Sequence, residues 1–364
     1  MADAAPALKE IFNLDRLRHI ADQTAQVYPD FDSGRFLAAT GHGLDDLSLM
    51  ARLRRVTEAL HDGLPQDYPR ALEILKALAP RLNSRFVTLI LPEYVGRYGL
   101  HDFDRSLPAL AWFTSFGTSE YAIRHFLRQD LHRTLAVMRQ WADDPDEHVR
   151  RLACEGARPR LPWSFHIEAL RQDPAPVAAI LEALKADDSL YVRKSVANHL
   201  NDIGKDHPGW LLARLEGWST EDPRTAWIVR HALRTLIKQG DRRALAIVGA
   251  GEPARVTLRA LSALPARLTL GERLTLAFEL ASTSPAPQRL VIDYAIHYVK
   301  QSGASAPKVF KLKTLDLPAH GTVALSRSQL IQDFSTRKHH PGRHVIDLLV
   351  NGERLGSCSF ELLR

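Results

Sequence analysis

A Val-Arg pair recurs three times in the chain at offsets of 43 and 37 residues, and no other feature restricts the possible folds so tightly. The copies are Asp146-Glu147-His148-Val149-Arg150-Arg151, Ser189-Leu190-Tyr191-Val192-Arg193-Lys194 and Ala226-Trp227-Ile228-Val229-Arg230-His231. A fainter relative, Tyr121-Ala122-Ile123-Arg124-His125, lies 26 residues before the first. Each strong copy follows an acidic opening (Asp143-Asp144-Pro145, Asp187-Asp188, Glu221-Asp222-Pro223) of the kind that favours a helix N-terminus. Repeats of this length are the signature of HEAT-like helix pairs. A single pair cannot bury its apolar face alone, so the pairs stack into a solenoid with a concave surface suited to long ligands. For each arginine of the pair two readings stand: cover for the helix flank beside an inward valine, or a contact to a ligand.

The helical rhythm extends to about Ala250, as in Leu47, Met50, Leu53 and Leu60 or Ala71, Leu72, Leu75 and Leu78, with prolines between the stripes. From about Leu264 the period becomes two. Leu274, Leu276, Phe278 and Leu280 alternate with small or polar residues; so do Leu290, Ile292, Tyr294, Ile296 and Tyr298, and a Val345–Val350 run ends in an Asn351-Gly352 turn. About a hundred residues of short strands read as an immunoglobulin-like β-sandwich. The expected architecture is therefore mostly α: a HEAT-like α-solenoid over residues 1–262 and an Ig-like β-sandwich over 263–364. A length of 364 residues fits two domains.

Charge is unevenly placed. Residues 265–364 hold 13 Lys+Arg against 8 Asp+Glu, whereas the rest hold 35 against 34. Any polyanion site in the helical part must come from the arrangement of charges, not their sum. Two cysteines 204 positions apart match no metal spacing and point to a reducing, cytoplasmic compartment. No apolar run is long enough for a membrane span, and the start lacks a secretory pattern. There is no phosphate-cradling GxxxxGKS/T loop and no nucleophile elbow, which argues against nucleotide hydrolysis, a nucleotide cofactor and serine chemistry. Arg337-Lys338-His339-His340-Pro341-Gly342-Arg343-His344 reads as a basic turn; its histidines lack acidic or thiol partners, so no zinc site is expected, and Arg337, Lys338 and Arg343 are candidates for DNA-backbone contact. The tryptophans at 112, 141, 210, 218 and 227 are expected in packing.

The candidate site follows the repeats. If Val149 anchors its helix, Leu152 and Ala153 share its stripe while Glu155 turns to the flank, and Asn198 holds the same position one repeat on. Beyond Glu155, Gly156-Ala157-Arg158-Pro159-Arg160-Leu161-Pro162-Trp163 breaks the helix and carries two arginines and a tryptophan into a loop. These side chains can satisfy last-turn carbonyls, or hold phosphates and stack on a nucleotide.

Here a resemblance enters. The string Glu147–Trp163 (EHVRRLACEGARPRLPW), with Ser189–Pro208 (SLYVRKSVANHLNDIGKDHP) and Thr118–Leu127 (TSEYAIRHFL), resembles the AlkC branch of the bacterial DNA alkylation-repair glycosylases. The opening Leu8–Asn13 and the β-domain resemble it too. The resemblance implies a monomeric hydrolase that needs no cofactor or metal and excises cationic bases, of the 3-methyladenine and 3-methylcytosine type, from double-stranded DNA. A positively charged base already leaves well, so the chemistry calls for carboxylates that stabilise an oxocarbenium-like sugar and position water. By resemblance, Glu120 and Glu155 are those carboxylates, Asp202 is a third acidic candidate and Trp163 contacts the lesion nucleotide. Phosphate contacts are expected from Arg150, Arg151, Arg158, Arg160, Arg193, Lys194 and Lys205, with Asn198 on the same face. Glu120 could otherwise serve only the helix dipole, and Glu155 could only pair with Arg151 or Arg158. The competing reading of the whole chain is a non-catalytic HEAT-repeat module that binds DNA structure or a protein partner.

Overall fold

A computed structural model describes residues 7–334 and 338–364; Arg337, one of the basic-turn candidates, lies outside the described residues. The chain forms two compact units: residues up to His207 with Glu221–Ile228, and Pro208–Thr220 with Val229–Arg364. Helices α1 (Leu14–Val27), α2 (Ser33–Gly41), α3 (Leu49–Gly63), α4 (Tyr68–Leu78), α5 (Ile90–Tyr98), α6 (Phe103–Phe113), α7 (Ile123–Gln129) and α8 (Leu131–Trp141) belong to the first unit. So do α9 (Glu147–Glu155), α10 (Glu168–Gln172), α11 (Ala178–Ala183) and α12 (Leu190–Asp206).

These helices start where the sequence supplies a cap. Asp32, Asp67, Asp102, Asp130 and Asp146 each accept a first-turn backbone N–H, as does the Ser189 hydroxyl ahead of α12. The Val-Arg repeat is scaffold in its first two copies. Val149 and Val192 are buried, and each following arginine reaches back to the loop that opens its own helix. Arg150 Nη1 donates to the carbonyls of Asp144 (2.9 Å) and Pro145 (3.0 Å); Arg193 Nη1 donates to those of Asp187 and Asp188, both at 2.8 Å. Arg150 also forks onto the Asp187 carboxylate, at 2.7 and 3.2 Å, tying one repeat to the next. In the third copy Val229 is buried but Arg230 is exposed, and the acidic opening is held instead by Arg224 on Asp222.

In the second unit, α13 (Pro208–Glu216), α15 (Arg234–Lys238) and α16 (Arg242–Ile247) join eight strands; α14 (Pro223–Ala232) runs across the boundary in sequence. The strands are β1 (Val256–Leu264), β2 (Arg267–Thr269), β3 (Arg273–Ser282), β4 (Gln288–Val299), β5 (Ser305–Leu317), β6 (Thr322–Leu330), β7 (Gly342–Val350) and β8 (Glu353–Leu363). They form sheets in the orders β1-β3-β6 and β2-β8-β7-β4-β5, with Phe278, Leu290, Ile292, Ile346, Leu348 and Phe360 in the shared core. The turn expected at Asn351-Gly352 joins β7 to β8, both residues at positive φ. Strand β3 alternates as its sequence does, but the middle of β4 is buried on both faces. One face is sandwich core; on the other, Val291 packs with Leu245 and Ala250. Gly240 and Gly352 meet there at such close range that a Cβ on Gly352 would lie 2.8 Å from Gly240 Cα. Among the described residues, no helix is long and apolar enough to cross a membrane.

Candidate active site

The strongest concentration of buried charge lies where α9 and α12 pack beside the turn that leads into α7. Glu120 stands in that turn, Glu155 ends α9, and Asp202 sits in the second half of α12. Arg151, one turn before Glu155, donates from Nη1 to Glu120 Oε2 at 2.7 Å, while its Nη2 lies 3.6 Å from Glu155 Oε1. Arg158 extends the row: Nη1 donates to Glu155 Oε1 at 2.7 Å, and Nε and Nη2 reach Asp202 Oδ2 at 2.9 and 2.7 Å. Lys205 Nζ donates to Asp202 Oδ1 at 2.9 Å. Acid and base alternate from Glu120 to Lys205, so the formal charges cancel along the row.

Hydroxyl groups fix the carboxylates further. Thr118 Oγ1 donates to Glu120 Oε2 at 2.9 Å, and Ser195 Oγ donates to Glu155 Oε2 at 2.5 Å. Burial works against the charge on Arg151, but Glu120 and Glu155 outweigh it and its pKa is raised; Arg158 is raised against burial by Glu155 and Asp202. Arg151 also lies over the Tyr191 ring, 4.6 Å from its centroid. Burial and then the charge of Glu120 push the Tyr121 phenol up, which leaves it a proton donor beside that carboxylate. Beneath the row, His199 Nδ1 donates to the Cys154 carbonyl at 3.0 Å. Burial pushes the Cys154 thiol up to about 12 and His199 down to about 4, so this pair is a neutral core contact and not a thiolate–imidazolium nucleophile.

Trp163, five residues after Arg158 in the chain, is 66% exposed and holds a left-handed backbone, φ +64°. A large apolar side chain presented to solvent in a conformation that costs energy is a feature to be explained by function.

The acidic candidates Glu120, Glu155 and Asp202 thus come together, with Arg151 and Arg158 as the cations between them. The pairings that sequence offered as purely structural alternatives for Glu155 are both present, but they belong to a row that also takes in two further carboxylates. The remaining basic candidates separate. Arg150 and Arg193 are engaged as loop supports, and Arg160 forks onto Asp206 at 2.8 and 2.6 Å. Lys194 is exposed, and Asn198 is half-buried on α12. Lys338 lines a cleft with Tyr298, Lys300, Lys308 and His340, and Arg343 donates from Nε to Ser359 Oγ at 3.2 Å. The neighbouring histidines are packing residues: His344 stacks on Phe360, and His339 sits edge-on to Tyr298. No cluster of metal-ligating side chains occurs among the described residues. Trp112, expected in packing, is 40% exposed beside Phe116.

Thr118, Tyr121, Tyr191 and Ser195 escaped the sequence reading. Tyr191 and Ser195 lie inside the repeat string of α12, where their role depends on which residue of α9 they face, a relation that spacing within one helix does not carry.

A model of the family described as DNA alkylation repair enzyme matches residues 100–236, and a model of the C-terminal Ig-like domain of YhaZ matches residues 257–364. The chain is 42% identical over 356 residues to the uncharacterized protein YhaZ of Bacillus subtilis (strain 168), covering 98% of this chain and 99% of the relative. Among solved structures, the Pseudomonas fluorescens alkylpurine DNA glycosylase AlkC bound to DNA containing an abasic site analog matches with 60% identity and a TM-score of 0.95, covering 99% of this chain and all of that one.

Proposed function

The chain belongs to the AlkC family of DNA alkylation-repair enzymes, and from that premise we propose that it acts as a monomer on duplex DNA, hydrolysing the N-glycosyl bond of cationic alkylated bases of the 3-methyladenine and 3-methylcytosine type. One observation carries the reading: three buried carboxylates, Glu120, Glu155 and Asp202, are held in fixed positions by Arg151 and Arg158.

An alkylated base with a positive charge leaves as a neutral molecule, so no acid need protonate it. The barrier lies in the positive charge that grows on the deoxyribose as the bond stretches. Glu120 and Glu155, fixed before the substrate arrives, stabilise that charge without reorganising, which is where preorganised groups act most strongly. One of them also orients the water that attacks the sugar, with the proton passing to its carboxylate. Arg151 and Arg158 keep the carboxylates apart and in register, and Asp202 anchors Arg158. Trp163 lies against the lesion nucleotide or its sugar. Lys194, Lys205 and the Lys338–Arg343 turn supply backbone contacts; Arg150 and Arg193 serve the scaffold instead. We retain residues 1–262 as the catalytic domain and 263–364 as the Ig-like domain that helps clamp the duplex. The cell interior is the compartment such a substrate requires. The test is the identity of the released product. Duplex DNA methylated to carry 3-methyladenine and 3-methylcytosine should yield both free bases and abasic sites without added metal or cofactor. Tight binding to that duplex with neither base released would refute the proposal.

A further inference from the structure

Arg124 is fully buried one turn after Glu120, yet the hydrogen bonds that hold its guanidinium end on main-chain carbonyls rather than on a carboxylate. Its Nη1 donates to the carbonyls of Gly156 (3.0 Å) and Arg158 (2.6 Å), and its Nη2 donates to that of Phe165. Its Cζ lies 5.4 Å from the centroid of the Phe165 ring, and Arg128 covers the same ring at 3.5 Å. All three carbonyls belong to the irregular segment after α9. That segment places Arg158 between Glu155 and Asp202, and it holds Trp163 at positive φ. An irregular stretch with a strained, exposed aromatic residue persists only where something over-determines its backbone. Within the segment, Arg158 N–H donates to Glu155 O and Ile167 N–H to Pro159 O, both at 3.2 Å, and Ser164 N–H to Leu161 O at 3.4 Å, while the Arg160 side chain forks onto Asp206. The carbonyls of Gly156, Arg158 and Phe165 are gathered by Arg124. Burying a guanidinium is costly, and an apolar side chain of equal volume would fill the space more cheaply. What the apolar side chain could not do is gather three carbonyls that point to one spot.

We propose that Arg124 is a positioning residue for the reaction: from the helix that follows Glu120 it clamps the 156–165 segment, and so sets where Trp163 and Arg158 stand relative to the two glutamates. The assignment rests on the glycosylase reading of the site. It concerns a residue that touches neither DNA nor the reacting atoms. Lysine at this position keeps the charge but offers a single point donor in place of the planar fork, so it can hold at most part of the segment.

The experiment compares the wild type with Arg124→Lys, Arg124→Met, Trp163→Ala and the double variant Arg124→Lys/Trp163→Ala. Single-turnover release of 3-methyladenine is measured together with amide hydrogen exchange and urea unfolding. Arg124→Lys should slow release at least tenfold, with faster exchange confined to 156–167. The double variant should be no more than about twofold slower than the slower single, because both changes act through one segment. Arg124→Met should show the same local loosening; if it fails to fold, Arg124→Lys carries the test. Exchange that rises throughout the helical unit, or effects of the two substitutions that multiply, would mean a merely structural arginine and overturn the proposal. Wild-type release by Arg124→Lys while Trp163→Ala is slow would overturn it and leave the site reading intact. Wild-type release by Trp163→Ala would remove the site reading for that residue, and the proposal with it.

Discussion

At the residue scale, the site is governed by which charges share an arginine. Arg151 and Arg158 each hold two acids, so removing either leaves buried carboxylates without their counter-ions. Arg158→Met should therefore cost both stability and base release, whereas Asp202→Asn, which keeps a hydrogen-bond acceptor for Arg158, should cost mainly the rate. Gly156 is fixed by space, not by φ. A Cβ there would lie 2.4 Å from Ile123 Cγ2 and 3.0 Å from the Leu152 carbonyl. Gly156→Ala should destabilise the helical unit by about 1–3 kcal/mol, as urea unfolding would measure. His199 makes a prediction about pH. Its folded-state pKa, near 4, lies below the ordinary value of 6.5 because of burial, so the unfolded chain binds the extra proton first. Its contribution to stability is complete above about pH 6.5 and is lost as pH falls towards 4. His199→Gln should lose less stability than the wild type between pH 7 and 5. An identical acid profile for the two proteins would mean that His199 is not the buried neutral group described.

At the element scale, the solenoid was largely legible and the site only partly so. The Val-Arg recurrence marked α9 and α12 because both halves of the pair do local work: valine packs inward, and arginine reaches back five and six residues to its own N-terminal loop. That work lies within one helix and its lead-in, where sequence spacing is informative. Glu155 and Trp163 stood out from the repeat and its loop, and the roles expected of them and of Glu120 came from the resemblance to a family. Tyr191 and Ser195 were missed because their partners, Arg151 and Glu155, lie on another helix, and Thr118 because its bond to Glu120 depends on how the turn folds. Strand β4 was read as alternating, and its second face turned out buried because helices of its own unit cover Val291. The arginines divide accordingly. Arg150→Ala should destabilise by about 2 kcal/mol and leave the salt dependence of DNA binding unchanged. Lys194→Ala and Lys205→Ala should do the reverse, each lowering the slope of log K against log salt by about 1 if its ammonium meets a phosphate. A lowered slope for Arg150→Ala would return that residue to the DNA surface.

At the scale of the whole molecule, the excess positive charge lies in the strand-rich part while the carboxylates lie in the helical part. Affinity and chemistry should thus separate by domain. Lys338→Ala with Arg343→Ala should weaken duplex binding in a salt-dependent manner and leave single-turnover release at saturating enzyme within about twofold of wild type. The carboxylate substitutions should show the opposite split. Single-turnover release of 3-methyladenine from duplex DNA by Glu120→Gln and Glu155→Gln, measured beside their affinity for duplex containing an abasic-site analogue, tests the central claim most directly. The account predicts a loss on the order of 100-fold in the release rate for each, with binding largely retained. Release by both variants at the wild-type rate would contradict it.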